Sequence, residues 1–242
     1  MISRREFVAE VVALTGAAVL APRSSWAADR FPSMLDHIIL GCSSLDHGIA
    51  LLEERTGMRA AFGGVHPDRG TMNALLSLGE RHYLEIMAPD PKAKTLQSWA
   101  VARLNSLKEL TTPRLVTWAV HTGDIDGVAK KLRESGIAFA GPLPGSRVRP
   151  DGRVLNWKTL NLTEDRHGVL PFFIEWGADS AHPSSDAPAG CHIEYFAAAD
   201  QDPGELSKSL QRIGVDVLVE HGDGPQLRMR IAGPKGSLEV SS

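Results

Sequence analysis

Leu35-Asp36-His37-Ile38-Ile39-Leu40 decides the reading of the fold, because the order of elements that it opens recurs further along the chain. The hexapeptide is short, apolar and β-branched, and reads as a strand. Asp46 to Arg55 then reads as a short helix, with Ile49 and Leu52 at i, i+3 and Gly57 placed to end it. A turn-rich stretch follows, His66-Pro67-Asp68-Arg69-Gly70-Thr71-Met72-Asn73. Two strands come next, Ala74 to Leu78 and His82 to Met87.

Leu115 to His121 restarts the order as a strand. Asp126 to Glu134 is the matching helix, with Val128 and Leu132 inward and Gly136 at its end. A second turn region runs from Arg149-Pro150-Asp151 to Asn156, and strands follow at Trp157 to Leu162 and Leu170 to Trp176. His66…Asn73 and Arg149…Asn156 align without a gap at an offset of 83 (149 less 66, 156 less 73). An α+β chain of two tandem βαβββ modules, at 34–92 and 113–177, is the simplest account. Segment 93–112 reads as a connecting helix with Leu96, Ala100, Leu104 and Leu107 on one face. Segment 178–190, rich in Ser, Pro, Ala and Asp, reads as a linker or surface loop. Segment 191–242 reads as a third, smaller βαβββ-like module: strand Cys191 to Phe196, helix Pro203 to Ile213, and strands near Val217, Leu227 and Leu238. The apolar face of its helix, Leu206, Leu210 and Ile213, is expected to pack within the chain.

The N-terminus has a different character. Ser3-Arg4-Arg5-Glu6-Phe7 precedes an apolar run from Val8 to Ala21, interrupted by Glu10, Thr15 and Gly16, and then Ser25-Trp26-Ala27-Ala28. Charged, apolar and small-residue segments in that order mark a secretory signal, and the arginine pair resembles the twin-arginine class. Residues 1–28 are therefore expected to be a signal peptide read by the twin-arginine export machinery, giving a periplasmic or secreted protein. The apolar run is shorter than the ~20 residues of a comfortable span, so no stable membrane span is expected after cleavage.

Net charge −3 and pI near 6.3 argue against a nucleic-acid partner. No glycine-rich phosphate loop, serine nucleophile elbow or CxxC pair is present. The two cysteines, Cys42 and Cys191, are too few for a disulfide framework, though one bridge stays open.

Five motifs in order carry a family resemblance: Leu35-Asp36-His37, His66-Pro67…Gly70-Thr71-Met72-Asn73, Tyr83-Leu84-Glu85, Arg149-Pro150-Asp151-Gly152 and Pro171-Phe172-Phe173-Ile174-Glu175-Trp176. They resemble the glyoxalase-like branch of the vicinal oxygen chelate superfamily, which includes glyoxalases and extradiol dioxygenases. The resemblance implies that the paired modules form one cup-shaped mixed sheet with a metal and a small substrate inside. Metal-binding members place a His on the first strand of a module and a Glu on the last. Here those positions are His37 and Glu85 in the first module. In the second module Glu175 matches, but Thr117 stands in place of the His.

Strand alternation tests the cup without reference to relatives. With Ile38 and Leu40 under the helix, Leu35, His37 and Ile39 face the other way, and Asp36 goes with the apolar pair. With Leu84 and Ile86 under the helix, Tyr83, Glu85 and Met87 face in. Val116, Trp118 and Val120 form an apolar face, which turns Thr117, Ala119 and His121 inward; Phe172, Ile174 and Trp176 do the same for Phe173 and Glu175. His37, Glu85 and Glu175 thus become candidate ligands of Zn, Mn, Fe or Ni, with Glu85 or Glu175 as general base. His121 lies about 13 Å further along its strand than a ligand should and is a candidate substrate contact. His66, Asn73, Arg149 and Trp157, at the two aligned junctions, are further candidate substrate contacts; Arg149 suits an anionic group. Two functions are compatible with these residues. One is a metal-assisted lyase, isomerase or dioxygenase acting on a small oxygenated molecule. The other is a metal-free protein that binds or sequesters such a molecule.

Overall fold

β1 (Leu35–Gly41) is buried along its whole length, as a strand flanked on both edges and covered on both faces must be. The structure is a computed structural model that describes residues 32–67, 69–93 and 98–242. The expected signal peptide, Asp68 and Leu96 lie outside the described residues. After β1 the first module continues with α1 (Leu45–Thr56), β2 (Ala61–His66), β3 (Thr71–Gly79) and β4 (His82–Pro89). Next come α2 (Ser98–Lys108) and the second module: β5 (Arg114–His121), α3 (Ile125–Glu134), β6 (Phe139–Val148), β7 (Val154–Leu162) and β8 (Phe172–Trp176). The eight strands form one sheet in the order β2-β3-β4-β1-β5-β8-β7-β6. β1 pairs parallel with β4, β5 pairs parallel with β8, and β1 joins the modules antiparallel to β5. Both modules have the same internal pairing, and the α+β class and curled half-barrel follow.

The sequence reading assigns no strand to 61–65 or 139–148, where β2 and β6 lie. Ala61–His66 carries two glycines, and Phe139–Val148 carries two glycines and two prolines. Such composition is incompatible with a central strand. Both are the outermost strands of the sheet, where one row of backbone donors has no ladder to complete. β3 and β7 also begin earlier than expected, at Thr71 and Val154, so Asn73 and Asn156 are strand residues.

The convex face of the sheet packs on α1 and α3 through Ile38, Leu40, Leu84, Ile86, Trp118, Val120 and Phe173, which join one core. α2 closes one end of the cup: Leu107 and Leu110 pack with Ile39, Met87, Val116 and Phe172. Its Ala100, Leu104 and Leu107 are buried, as the helical spacing predicts.

Two β-bulges shift the expected alternation. β1 and β5 lose register between Leu35 and His37, and again between Ile39 and Leu40. At each slip one residue is left without a partner and the faces exchange. Leu35 therefore joins the core with Ile38 and Leu40, contrary to the alternation reading. Asp36 turns to the side of His37. Val116 likewise leaves the helix side for the cup end, and Leu115 takes the core position.

The last segment supplies β9 (His192–Asp200), α4 (Pro203–Arg212), β10 (Leu218–His221), β11 (Gln226–Ala232) and β12 (Ser237–Ser241). The element order repeats that of the modules, but the pairing does not. The sheet order is β10-β9-β11-β12, so β9 pairs parallel with the strand directly after its helix rather than with the last strand. The segment covers the convex side of the first sheet. Phe196 meets Trp118 edge to face at 5.1 Å between centroids, and the amide of Lys235 donates to the Thr56 carbonyl at 3.0 Å. Leu206, Leu210 and Ile213 belong to the same core as Ile38 and Trp118. Both cysteines are unbridged and buried; burial pushes the Cys42 thiol up to about 11.

Candidate functional site

The parallel pairing of β1 with β4 sets His37 opposite Tyr83 and Ile39 opposite Glu85. Both His37 and Glu85 enter the cup, as alternation predicts, and their side chains are 3% and 7% exposed. His37 Nε2 lies 3.5 Å from Glu85 Oε2. The other Glu85 oxygen accepts a hydrogen bond from Asn73 Nδ2 at 2.6 Å, and Asn73 Oδ1 accepts from Arg147 Nη1 at 3.0 Å. Arg147 comes from β6 at the far edge of the sheet and crosses the seam between the two edges. Gly63 on β2 leaves room for this crossing: a Cβ there would lie 2.5 Å from Asn73 Oδ1 and 2.6 Å from Arg147 Nη1.

The bulge at Asp36 supplies what alternation does not foresee. Asp36 is fully buried, and its Oδ1 is 2.7 Å from His37 Nδ1. Its Oδ2 accepts from Trp176 Nε1 at 2.9 Å and lies 3.2 Å from His182 Nε2. Burial alone would raise the Asp36 pKa, but hydrogen bonds from His182 and His37 outweigh it and hold the group well below the usual carboxylate range. An ionised carboxylate only accepts, so each ring must present an N–H to it. That places an N–H on His37 Nδ1 and turns its Nε2 to Glu85. Burial also raises Glu85, yet His37, the Asn73 hydrogen bond and Arg147 together bring it below its ordinary value. Glu85 therefore rests as a carboxylate.

His66, Trp157, Trp176, Phe172, Tyr83 and Ile174 wall the cup, and Arg69 lines it beside Arg147. His37 stacks on Tyr83 at 4.5 Å between centroids, and His66 meets Trp157 edge on at 6.4 Å. Burial keeps Tyr83 protonated, helped by Asp36 and Glu85. The cup is open to solvent on one side, and its cavity volume is about 40 Å³. A larger cleft of about 360 Å³ lies between α3 and α4, with Arg166 and Arg212 on its walls. Those two guanidiniums bond Asp200 and the Ser135 carbonyl, and the cup side chains do not reach it.

Three expected site residues are elsewhere. Glu175 faces the helix side: its Oε2 accepts from the amide of Ile125 at 2.8 Å, at the start of α3, and Lys158 is 3.9 Å away. β8 has apolar residues on both faces, and alternation alone assigns the longer apolar row to the core. In the structure Phe173 takes the core, while Phe172, Ile174 and Trp176 line the cup. Arg149 is drawn out of the cup by an ion pair with Asp186, which also binds Arg153. Arg147, two residues earlier on the same face, enters in its place. His121 is not among the cup-lining residues, and its Nδ1 is buried with no hydrogen-bond partner among the described residues. Asp36, Arg147 and His182 were missed. The first needed the bulge, the second the edge strand, and the third lies in a segment that reads as a linker.

The donors do not fit the metal that the resemblance implies. His37 and Glu85 are two ligands, Glu175 points out of the cup, and the buried Arg147 cation sits against the Asn73–Glu85 pair. Among the described residues no group of three or more His, Cys, Asp or Glu side chains is placed to hold a metal ion.

His66 gives this wall a pH dependence. Burial, only partly offset by Glu85, lowers its pKa from 6.5 to about 4. A depressed histidine contributes stability that is present above the unfolded value and lost as pH falls through the folded one. Stability should therefore fall between pH 6.5 and about 4, by on the order of 1 kcal/mol for a ring still partly open to solvent. Urea midpoints across that range check this; an equally steep fall in His66→Asn would assign the loss to other groups.

Comparison with known proteins agrees with this architecture. A family model described as glyoxalase-like domain matches residues 35–214. A hypothetical protein from Staphylococcus aureus of known structure is 18% identical, with a TM-score of 0.57 over 85% of this chain and 84% of that one. Methylmalonyl-CoA epimerase from Streptomyces coelicolor, in complex with 2-nitronate-propionyl-CoA, is 21% identical over 61% of this chain and 99% of that one, with a TM-score of 0.45. The Mycobacterium tuberculosis epimerase gives 19%, 62%, 90% and 0.41 for the same measures. Identities this low speak for the fold alone. No curated protein matches the chain.

Proposed function

We propose, from the premise that this chain belongs to the glyoxalase-like domain family, that its cup is an active site for proton transfer on a small oxygenated molecule. The observation that carries the reading is the 3.5 Å contact between His37 Nε2 and the Glu85 carboxylate at the floor of an aromatic-walled cavity. A buried ring nitrogen facing a carboxylate can give it a proton or take one from it. Glu85 takes a proton from the substrate carbon next to a carbonyl, and the same carboxylic acid, its proton exchanging with solvent, reprotonates the enolate. A carboxylate with a lowered pKa is a weak base, so that proton must already be acidified. Arg147 and Asn73 stand where they can polarise the carbonyl oxygen. Arg147, on the lining of the cup, is a cation that an anionic group of the substrate can meet. No step here requires a metal.

Deuterium wash-in tests the reading. The protein is incubated in D2O with pyruvate, 2-oxobutyrate or acetoacetate, and exchange above the protein-free rate is followed by proton NMR. Exchange supports an enzyme that transfers protons. Binding of these acids, seen as quenching of tryptophan fluorescence, with no exchange on any of them would overturn catalysis in favour of a sequestering protein.

Residues 1–28 support a second part of the proposal, export by the twin-arginine route. Arg4→Lys with Arg5→Lys should leave the precursor in the cytoplasm. Continued appearance of the mature form in the periplasm would refute that route. Among the described residues no helix is long and apolar enough to cross a membrane.

A further inference from the structure

Segment 178–190 is fastened to both modules. The amide of Ser77 on β3 donates to the Pro188 carbonyl at 2.8 Å. Ser180 Oγ accepts from the amide of Asn156 at 2.8 Å and donates to its carbonyl at 3.0 Å, on β7. Asp186 takes Arg149 and Arg153 from the β6–β7 turn, and Pro183 is buried. Between these anchors His182 reaches the cup wall. Its ring stands edge on to Tyr83 at 5.6 Å and to Trp176 at 5.7 Å, and its Nε2 is 3.2 Å from Asp36 Oδ2. The amide of Ser184 points at His182 Nδ1 from 3.3 Å. An amide can only donate, so Nδ1 is the acceptor and Nε2 carries the hydrogen that Asp36 receives.

We infer that His182 is a positioning residue of the site, and that the apparent linker is a strap which completes it. The links run from Glu85 to His37, from His37 to Asp36, and from Asp36 to His182. Asp36 binds His37 with one oxygen, and the other is held by His182 and Trp176. That grip fixes the plane of the carboxylate and with it the orientation and tautomer of His37. His182 touches no substrate in this role; it keeps His37 Nε2 aimed at Glu85. The ionisable groups around Asp36 are His37 on its own strand, His182 on the strap, and His82 and Tyr83 on β4. The inference rests on the proton-transfer reading only for its consequence in catalysis. The positioning itself can be observed in the free protein.

Three variants separate positioning from simple packing. His182→Gln puts an amide N–H where Nε2 stands and should keep the network. His182→Asn, with its amide one carbon short, and His182→Ala should break it. The readout is the pair of ring-nitrogen shifts of His37 in protein labelled with ¹⁵N-histidine, assigned by their loss in His37→Gln. Wild type and His182→Gln should show one Nδ1–H tautomer, whereas His182→Asn and His182→Ala should show shifts averaged between the two tautomers. Deuterium wash-in, where measurable, should fall about tenfold in the latter two and recover in His182→Gln, as for the loss of one charge-assisted hydrogen bond. Unchanged His37 shifts in His182→Ala overturn the inference, whatever the exchange rates. So does a His182→Gln variant as disturbed as His182→Ala. Shifts that move as expected in a protein that exchanges no probe leave the positioning intact and overturn the proton-transfer reading instead.

Discussion

Glu85→Gln should reduce deuterium wash-in by roughly 10²- to 10⁴-fold, the range a positioned general base contributes. The substitution nearly preserves volume and removes the only carboxylate among the described residues that line the cup. Its amide oxygen can still accept from Asn73 Nδ2, so the fold should persist. Substrate binding should change much less than turnover, because Arg69, Arg147 and the aromatic wall are untouched. Near-wild-type exchange in Glu85→Gln would move the base to His37 or out of the cup altogether. Treating the wild-type protein with a chelator should leave the exchange rate unchanged, since the described residues present two metal donors in the cup rather than three. A rate abolished by the chelator and restored by one divalent metal would show that the donor argument is wrong.

Deletion of residues 191–242 should give a protein that aggregates or binds hydrophobic dyes and has no cooperative thermal transition. Phe196, Leu206, Leu210, Met229 and Ile231 share one core with Trp118, Ile38 and Leu84. Trp118 is fully buried; Phe196 packs on its ring, and its Nε1 donates to the Val169 carbonyl at 2.8 Å. Truncating a single buried aromatic costs about 3–5 kcal/mol, against a typical total stability of about 5–15 kcal/mol. Removing a whole covering sheet from Trp118 and its neighbours exceeds that margin. Phe196→Ala is the graded form of the experiment and should lose about 3–5 kcal/mol in urea denaturation. A truncated chain that stays a soluble monomer with an unchanged Tm would make the last segment an independent appendage.

The doubled order of strand, helix and strands was legible in the sequence, because period-2 and period-3.6 apolar patterns report which face of an element is buried. His37 and Glu85 came from the same source: on β4 the apolar pair Leu84 and Ile86 leaves Glu85 only one direction. Where both faces of a strand carry apolar residues, as in β8, alternation could not say which face was the cup, and Glu175 was assigned to the wrong one. Edge strands rich in glycine and proline gave no pattern, so β6 and Arg147 with it were invisible. The third segment repeats the element order of the modules, yet its strands pair differently, since order along the chain does not specify which edge of β9 a strand will take.

By itself the sequence determined the α+β class, the tandem modules and the two side chains that meet at the floor of the cup. These depend on local periodicity, which each segment carries in its own residues. Tertiary structure alone decided that Asp36 turns inward at a bulge, that Arg147 crosses the seam, that Glu175 caps a helix instead, and that His182 closes the network from a segment that reads as a linker. Each of these depends on register between strands or on contact between residues far apart in the chain. A one-residue slip between paired strands exchanges the two faces, and nothing in the sequence of one strand records where its partner will slip.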